Sequence, residues 1–243
     1  INLEKFKKIP SYCGALTIAI VKGSNNVKPR AVNHLSFYPE YNLIYNRIPK
    51  SGNSSISLYL HDAITKNINY SCEDSYYKSK SKAIQLAKKP SEIFYSPRYL
   101  LNIHKAKIFT VIRNPYLRIL SAFLQKISTG KMKKYKHIPG FGENTQQGFI
   151  KFVNYLEDFG LYKDYHWMPQ FEMMAFSENL YDEIIKLEEL PNKFNLFINK
   201  KGLNVPLEIL EKPHIKEQMD QIKITNAKNK VDQFYNKSLK EKI

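Results

Sequence analysis

Residues 43–60, LIYNRIPKSGNSSISLYL, constrain the fold more than any other stretch of the chain. Leu43, Ile44 and Tyr45 open an apolar run that passes through Asn46 and Arg47 to Ile48, the pattern of a strand entering a core. Pro49 has no N–H to give to a ladder, so pairing stops there. Lys50-Ser51-Gly52-Asn53-Ser54-Ser55 follows, with one cation, one glycine and four small polar side chains. Ile56, Leu58, Tyr59 and Leu60 then resume a helical spacing, with Asn53 or Ser54 as the N-cap. The order is strand, tight polar loop, helix.

Such a loop favours an anion. A helix N-terminus offers unpaired backbone N–H groups and a positive dipole end. Gly52 lets the backbone close around a phosphate-like group, and Lys50 adds a full charge. The loop is not a Walker A sequence, in which the lysine follows the last glycine and directly precedes Ser or Thr. Taken alone, the stretch reads equally well as a strand-to-helix turn with a surface lysine.

A second stretch repeats the order. In KIFTVIRNPYLRILSAFLQK, residues 107–126, Ile108, Phe109, Val111 and Ile112 form a β-branched apolar run. Arg113-Asn114-Pro115 is its exit turn, with Pro115 suited to the first turn of a helix. Leu117, Leu120, Ala122, Phe123 and Leu124 supply that helix with an apolar face. Arg113 at the strand end and Ser121 about two turns into the helix can address one ligand at the carboxyl edge of a sheet. Arg118 is expected to be structural and to pair with an acid.

At these residues the chain resembles the sulfotransferases, and within them the carbohydrate branch that includes chondroitin 4-O- and HNK-1-type enzymes. IPKSGNSS resembles their 5′-phosphosulfate loop, and IRNPYLRILSAF their 3′-phosphate motif. Three further stretches are similar to elements of that branch: GFIKFVNYL at 148–156, DYHWMPQ at 164–170 and YDEIIKLEEL at 181–190. The likeness runs in order from about residue 43 to about residue 200. Asn53 stands where the branch often has glycine or another small residue, and Asn114 where many members carry an acid. The paired cysteines that many Golgi members place after the His-Trp element are missing from residues 171–176.

The resemblance implies a fold: α/β, a P-loop-like three-layer sandwich with a central parallel sheet flanked by helices. It implies one sulfotransferase domain over residues 1–243, with a donor-site core at about 43–200 and a C-terminal helical segment at 202–243. The donor would be 3′-phosphoadenosine 5′-phosphosulfate (PAPS), leaving adenosine 3′,5′-bisphosphate. Lys50 would neutralise the departing oxygen. Ser51, Gly52, Asn53, Ser54 and Ser55 would cradle the 5′ phosphate, and Arg113 and Ser121 would bind the 3′ phosphate. His166 is the candidate general base, since histidine titrates near neutrality. His61, His104 and a carboxylate such as Glu188 remain alternatives. No metal is called for, and no His/Cys/acid cluster shows metal-ligand spacing. The acceptor would be a hydroxyl of a carbohydrate.

Composition bounds the rest. Lys+Arg 38 against Asp+Glu 22 gives a net charge of +16, compatible with an anionic acceptor, nucleic-acid binding or plain solubility. No nucleic-acid motif accompanies the charge, so nucleic acid is not the expected partner. A P-loop-like kinase is the rival enzyme reading and a non-enzymatic polyanion binder the rival binding reading; the lysine-first loop and the missing Walker B aspartate weigh against the first. Cys13 and Cys72 can form at most one disulfide, which favours a reducing compartment. The longest apolar run, Ala15 to Val21, is too short to span a bilayer. A cytoplasmic location is expected for a bacterial or viral chain, and the Golgi lumen if an anchor precedes the sequence.

Elsewhere, residues 14–21 and 93–95 are expected as strands, 82–88 as a short surface helix and 99–105 as a helix. Residues 145–159 fit an amphipathic helix with Phe149, Phe152, Val153 and Leu156 on one face. A terminal helix is expected at 231–243, with Val231, Phe234, Tyr235 and Leu239 as its docking face. Residues 129–142, TGKMKKYKHIPGFG, form a basic loop, read as either a solvated surface or a lip facing an anionic acceptor.

Overall fold

The computed structural model describes residues 9–57, 59–60, 87–200 and 226–243. Its elements are α1 (Ile9–Val21), β1 (Leu35–Tyr38), β2 (Leu43–Asn46), α2 (Pro90–Phe94), α3 (Pro97–Asn102), β3 (Lys107–Ile112), α4 (Pro115–Ala122), α5 (Gln146–Tyr155), β4 (Glu183–Lys186), α6 (Leu190–Asn199), α7 (Val231–Phe234) and α8 (Lys237–Glu241). Residues 53–57 are also helical. The chain divides into two compact units. The first comprises Ile1–Ile48, Gly52–Ile112 and Gln170–His214, and the second Pro49–Ser51, Arg113–Pro169 and Ile215–Ile243.

The first unit holds a four-stranded sheet in the order β1-β2-β3-β4. β1 pairs antiparallel with β2, while β2–β3 and β3–β4 are parallel. The two strands picked out by sequence are therefore the central ones, and their carboxyl ends lie at the same edge. Side chains alternate across the pleat. On one face Leu43, Tyr45, Phe109, Val111 and Ile185 pack with Ile56 and Tyr59 of the helix at 53 and with Phe194 and Ile198 of α6. Tyr45 and Phe109 are register partners whose rings stack at 4.7 Å and 8°. On the other face Phe37, opposite Ile44, meets Tyr99 of α3 edge to face at 5.9 Å. The fold is thus α/β, a mostly parallel sheet flanked by helices, as the P-loop-like expectation requires.

Polar chemistry also ties the unit together. Asn46 is wholly buried in β2. Its Nδ2 donates to the Met173 carbonyl (3.0 Å), and its Oδ1 accepts from the Ala175 N–H (2.7 Å) and the Tyr181 hydroxyl (2.6 Å). One side chain so satisfies three groups of the segment that leads into β4.

Two expected strands are helices. Residues 14–21 belong to α1, because Ser11, Gly14, Ala15, Ile18 and Ala19, the buried set, recur at helical and not alternating spacing. Gly14 is needed there, since a Cβ would overlap the Pro90 carbonyl of α2. Residues 93–94 belong to α2, and Tyr95 is its C-cap. Pro90 starts that helix and the Glu92 carboxylate reaches back to the Lys89 N–H (2.9 Å), a start signal that outweighs a three-residue β-branched and aromatic run. The helix at 99–105 is present as α3 and a 3₁₀ turn, Ile103–Lys105. Of the helix expected at 82–88, residues 82–86 lie outside the described residues, and Lys88 is extended, bridging to Phe37. β1 was not anticipated: it is four residues long and turns into β2 through Asn42 in the left-handed conformation (φ 47).

The second unit is helical. α5 buries Phe149, Phe152 and Val153, with Leu156 in the wider turn that follows, and packs on Phe123, Trp167 and Phe234. The C-terminal segment is two short helices instead of one, because Asn236 breaks the run and caps α8, accepting from the Leu239 N–H (2.9 Å). The docking face still forms, with Phe234, Tyr235 and Leu239 buried.

Asn46→Leu should destabilise the protein by about 2–4 kcal/mol, the scale of leaving several buried partners unsatisfied. Equilibrium urea unfolding measures this.

Candidate functional site

The lysine-first loop leaves β2 in a strained path. Lys50 is a non-glycine residue at φ 70, and Gly52 follows at φ 73. A left-handed lysine costs about 1–2 kcal/mol, and such strain persists only where surroundings over-determine it. In the second unit those surroundings are two guanidinium groups. Arg113 Nη1 donates to the Lys50 carbonyl (3.2 Å). Arg118 is 2% exposed and donates three ways, from Nε to Pro49 O (3.0 Å), from Nη1 to Met168 O (2.7 Å) and from Nη2 to Tyr165 O (3.0 Å).

This corrects the expected acid partner of Arg118. Its hydrogen-bond partners are carbonyl oxygens, and the planar five-donor fork reaches all three from one side chain. Burial, and then the nearby Arg113 charge, lower its pKa to about 10, so it stays protonated at neutral pH. Arg118 clamps the Pro49–Ser51 loop to the segment carrying Tyr165 and Met168.

The helix that carries Arg118, and that Arg113 immediately precedes, starts cleanly. Asn114 caps α4, its side chain accepting from the N–H groups of Tyr116 (3.0 Å) and Leu117 (3.3 Å), with Pro115 behind it. An asparagine cap does here what an acid does elsewhere. Ser121 is buried two turns along α4, and Ser51 is fully buried in the loop. Lys50 Nζ donates to Gln125 Oε1 (2.9 Å), on the wide turn Phe123–Ile127 that extends α4.

His166 sits in a tight polar cluster of the same unit. Its Nδ1 lies 2.6 Å from Asp164 Oδ1, and its backbone N–H donates to the same oxygen (2.9 Å). The Tyr135 hydroxyl donates to Asp164 Oδ2 (2.8 Å). Burial works against the Asp164 charge, but the hydrogen bonds from His166 and Tyr135 outweigh it and hold the carboxyl at about 2. An ionised carboxylate needs a donor, so Nδ1 carries the proton and Nε2 is left as the acceptor. Burial lowers the His166 pKa below its ordinary 6.5; Asp164 opposes this, and the positive charges of Lys126 and Lys50 add to it. Trp167 anchors the segment, buried against Phe152 and Tyr135, with Nε1 donating to the Gly160 carbonyl (2.9 Å).

The remaining candidates divide by unit. In the second, the structure brings Lys50, Ser51, Arg113, Ser121 and His166 onto one framework of loop, helix and anchored turn. In the first, Gly52 opens the helix at 53, where a Cβ would press on the Leu187 side chain, and Asn53, Ser54 and Ser55 form its first turn. Asn53 Oδ1 is buried with no hydrogen-bond partner. His104 and Glu188 of that unit are exposed, and His61 lies outside the described residues. Asp164, Tyr135 and Gln125 were missed by sequence reasoning. The Asp-x-His spacing is the signal for the first, because an aspartate readily bonds the N–H two residues on.

Among the described residues no group of three or more His, Cys, Asp or Glu could hold a metal ion, and no helix is long and apolar enough to cross a membrane. Cys13 is a free thiol.

Arg118→Met should cost about 3 kcal/mol or more, because three carbonyls lose their donor together. Arg118→Lys should recover only part, an ammonium being unable to match the fork. Thermal and denaturant unfolding of the two variants measures both.

No curated protein and no solved structure matches the chain. A family model does, that of the sulfotransferase family, over residues 33–243. The chain belongs to the sulfotransferase family, and so to the enzymes that transfer a sulfuryl group to a hydroxyl-bearing acceptor.

Proposed function

We propose that the protein is a carbohydrate O-sulfotransferase that uses PAPS, and that its two units are parts of one sulfotransferase domain. The family match running across both units supports the second statement. The observation that carries the first is geometric: the Arg118 guanidinium holds the carbonyl of Pro49, next to Lys50, together with those of Tyr165 and Met168, which flank the His166 segment, and Asp164 leaves His166 Nε2 as an acceptor. The two residues that the resemblance assigns as base and leaving-group cation thus share a neighbourhood.

The residues fit a phosphorylated donor. Lys50 and Arg113 supply charge, Ser51 and Ser121 hydroxyl donors, and the helix at 53 its N-terminal N–H groups. Residues 51–55 are assigned to the 5′ phosphate, and Arg113 with Ser121 to the 3′ phosphate. In the reaction His166 Nε2 takes the hydroxyl proton of the acceptor as that oxygen bonds to sulfur. The bond from sulfur to the phosphate oxygen breaks, and Lys50 meets the charge left on that oxygen. Asp164 keeps the imidazole in the required tautomer and stabilises the imidazolium that forms, as carboxylates do for catalytic histidines elsewhere. Lys50 acts mainly as charge develops, so its contribution belongs to the transition state.

Adenosine 3′,5′-bisphosphate should bind more tightly than AMP by calorimetry. Arg113→Ala should remove most of the difference, about 1.5–3 kcal/mol for a hydrogen bond to a charged group. Equal affinity for the two nucleotides would overturn the donor assignment.

His166→Ala should leave nucleotide binding intact and lower turnover by about 10²–10⁴-fold. In the wild type, turnover should be full at neutral pH and fall as acid protonates His166. Because its pKa is lowered, that fall should lie below pH 6.5. Lys50→Ala should lower turnover far more than product-nucleotide affinity. A pH–rate profile of His166→Ala that keeps the acid limb would assign the base elsewhere.

A further inference from the structure

The loop at 129–142 contains Lys131, Lys133, Lys134, Lys136 and His137 and no acid. All five basic side chains belong to exposed residues. The loop is nonetheless built, not merely solvated. At its neck the N–H groups of Gly130 (3.1 Å) and Gly142 (3.0 Å) both donate to the Ile127 carbonyl. The two glycines lie so close that a Cβ on Gly130 would stand 3.2 Å from Gly142 Cα. At its centre a 3₁₀ turn, Lys133–Tyr135, drives Tyr135 inward to 4% exposure, and Ile138 is buried beside it.

The inward tyrosine matters for function. Tyr135 is the residue whose hydroxyl donates to Asp164, the partner of His166. Lys134, next to it, lies over the Tyr135 ring (4.3 Å) and 3.7 Å from Asp164. Lys131, Lys133 and Lys136 have no carboxylate within ion-pair distance among the described residues. An acid-free run of cations is thus rooted through one side chain on the carboxylate that orients the proposed base. Concentrated like charge at a surface raises the local concentration of a polyanion and its association rate.

We propose that this loop is the acceptor subsite and that the acceptor is an anionic glycan, one bearing carboxylate or sulfate groups, whose charges lie on Lys131, Lys133 and Lys136 while a hydroxyl reaches His166. The proposal rests on the sulfotransferase reading above for its chemistry, but the surface is testable without turnover. A nucleic acid carries the same charge. The glycan is favoured because the loop is anchored at the residues that would deprotonate a sugar hydroxyl, and because of the loop's two aromatic residues Tyr135 is buried, leaving only the half-buried Phe141 for bases to stack on.

The test measures binding of heparin, neutral dextran and a single-stranded oligonucleotide by calorimetry across a salt series, with adenosine 3′,5′-bisphosphate titrated separately. Three proteins are compared: the wild type, K131A/K133A/K136A, and a charge-matched control with three exposed lysines changed elsewhere, K89A/K105A/K186A. The wild type should bind heparin in a salt-dependent way, bind dextran undetectably, and bind the oligonucleotide at least tenfold more weakly than heparin. The loop variant should lose at least about tenfold in heparin affinity, with its log–log salt slope reduced by about one per lysine, while the control stays within about twofold. Nucleotide binding should be the same in all three. Unchanged heparin binding by the loop variant, an equal loss in the control, or an oligonucleotide bound as tightly as heparin would each overturn the proposal. Failure of the wild type to bind the bisphosphate would instead overturn the donor reading, and the heparin comparison would still decide the loop.

Discussion

The second unit depends on one buried guanidinium. Arg118 reaches three carbonyl oxygens from two distant stretches of chain, two of them in fully buried hydrogen bonds. A hydrophobic residue could fill the volume but could not satisfy the carbonyls. A lysine could satisfy one or two but not all three in a plane. The strained left-handed Lys50 and the turn before Trp167 take their positions from the same side chain, so geometry at the proposed cation and at the proposed base is set together. Arg113 completes the arrangement at the Lys50 carbonyl. Two like charges placed near each other are tolerated because each is spread over a delocalised plane and faces carbonyl dipoles.

Around His166 the same logic runs with opposite sign. A carboxylate is buried at some cost, and the donors gathered on it, two from His166 and one from Tyr135, more than offset that cost. The cluster fixes a tautomer, which is a chemical result and not only a structural one. Burial lowers the ring's pKa, Asp164 opposes this, and the positive charges of Lys126 and Lys50 add to it, so the imidazole is biased towards its neutral form.

Much of this was legible in the sequence where a backbone requirement and a side-chain pattern coincide. The strand–loop–helix at 43–60 and the strand–turn–helix at 107–126 carried their own punctuation in Pro49, Gly52, Asn114 and Pro115, and both appeared where expected. The amphipathic period of α5 was equally plain. What failed was of two kinds. Short apolar runs at 14–21 and 93–95 carried no usable period, and the small residues that made α1 a helix became meaningful only once Pro90 was seen against Gly14. Long-range polar partners failed too. Nothing near Arg118 or Asn46 in sequence says that its partners are main-chain groups far along the chain. Tyr135 looked like one aromatic in a basic loop, and its inward turn is a tertiary fact.

The neck at Gly130 and Gly142 gives that loop an independence that the rest of the second unit lacks. Both ends close on a single carbonyl, and the interior is held by the buried Tyr135, Ile138 and Gly140, with Met132 and Phe141 packed partly on the core. The entropy of closing a loop grows slowly with its length, so residues can be gained or lost between those anchors at little thermodynamic cost. A lineage that kept these anchors would be able to exchange the exposed positions between them, altering the charge that the surface presents while the Tyr135–Asp164–His166 cluster beneath stays as it is.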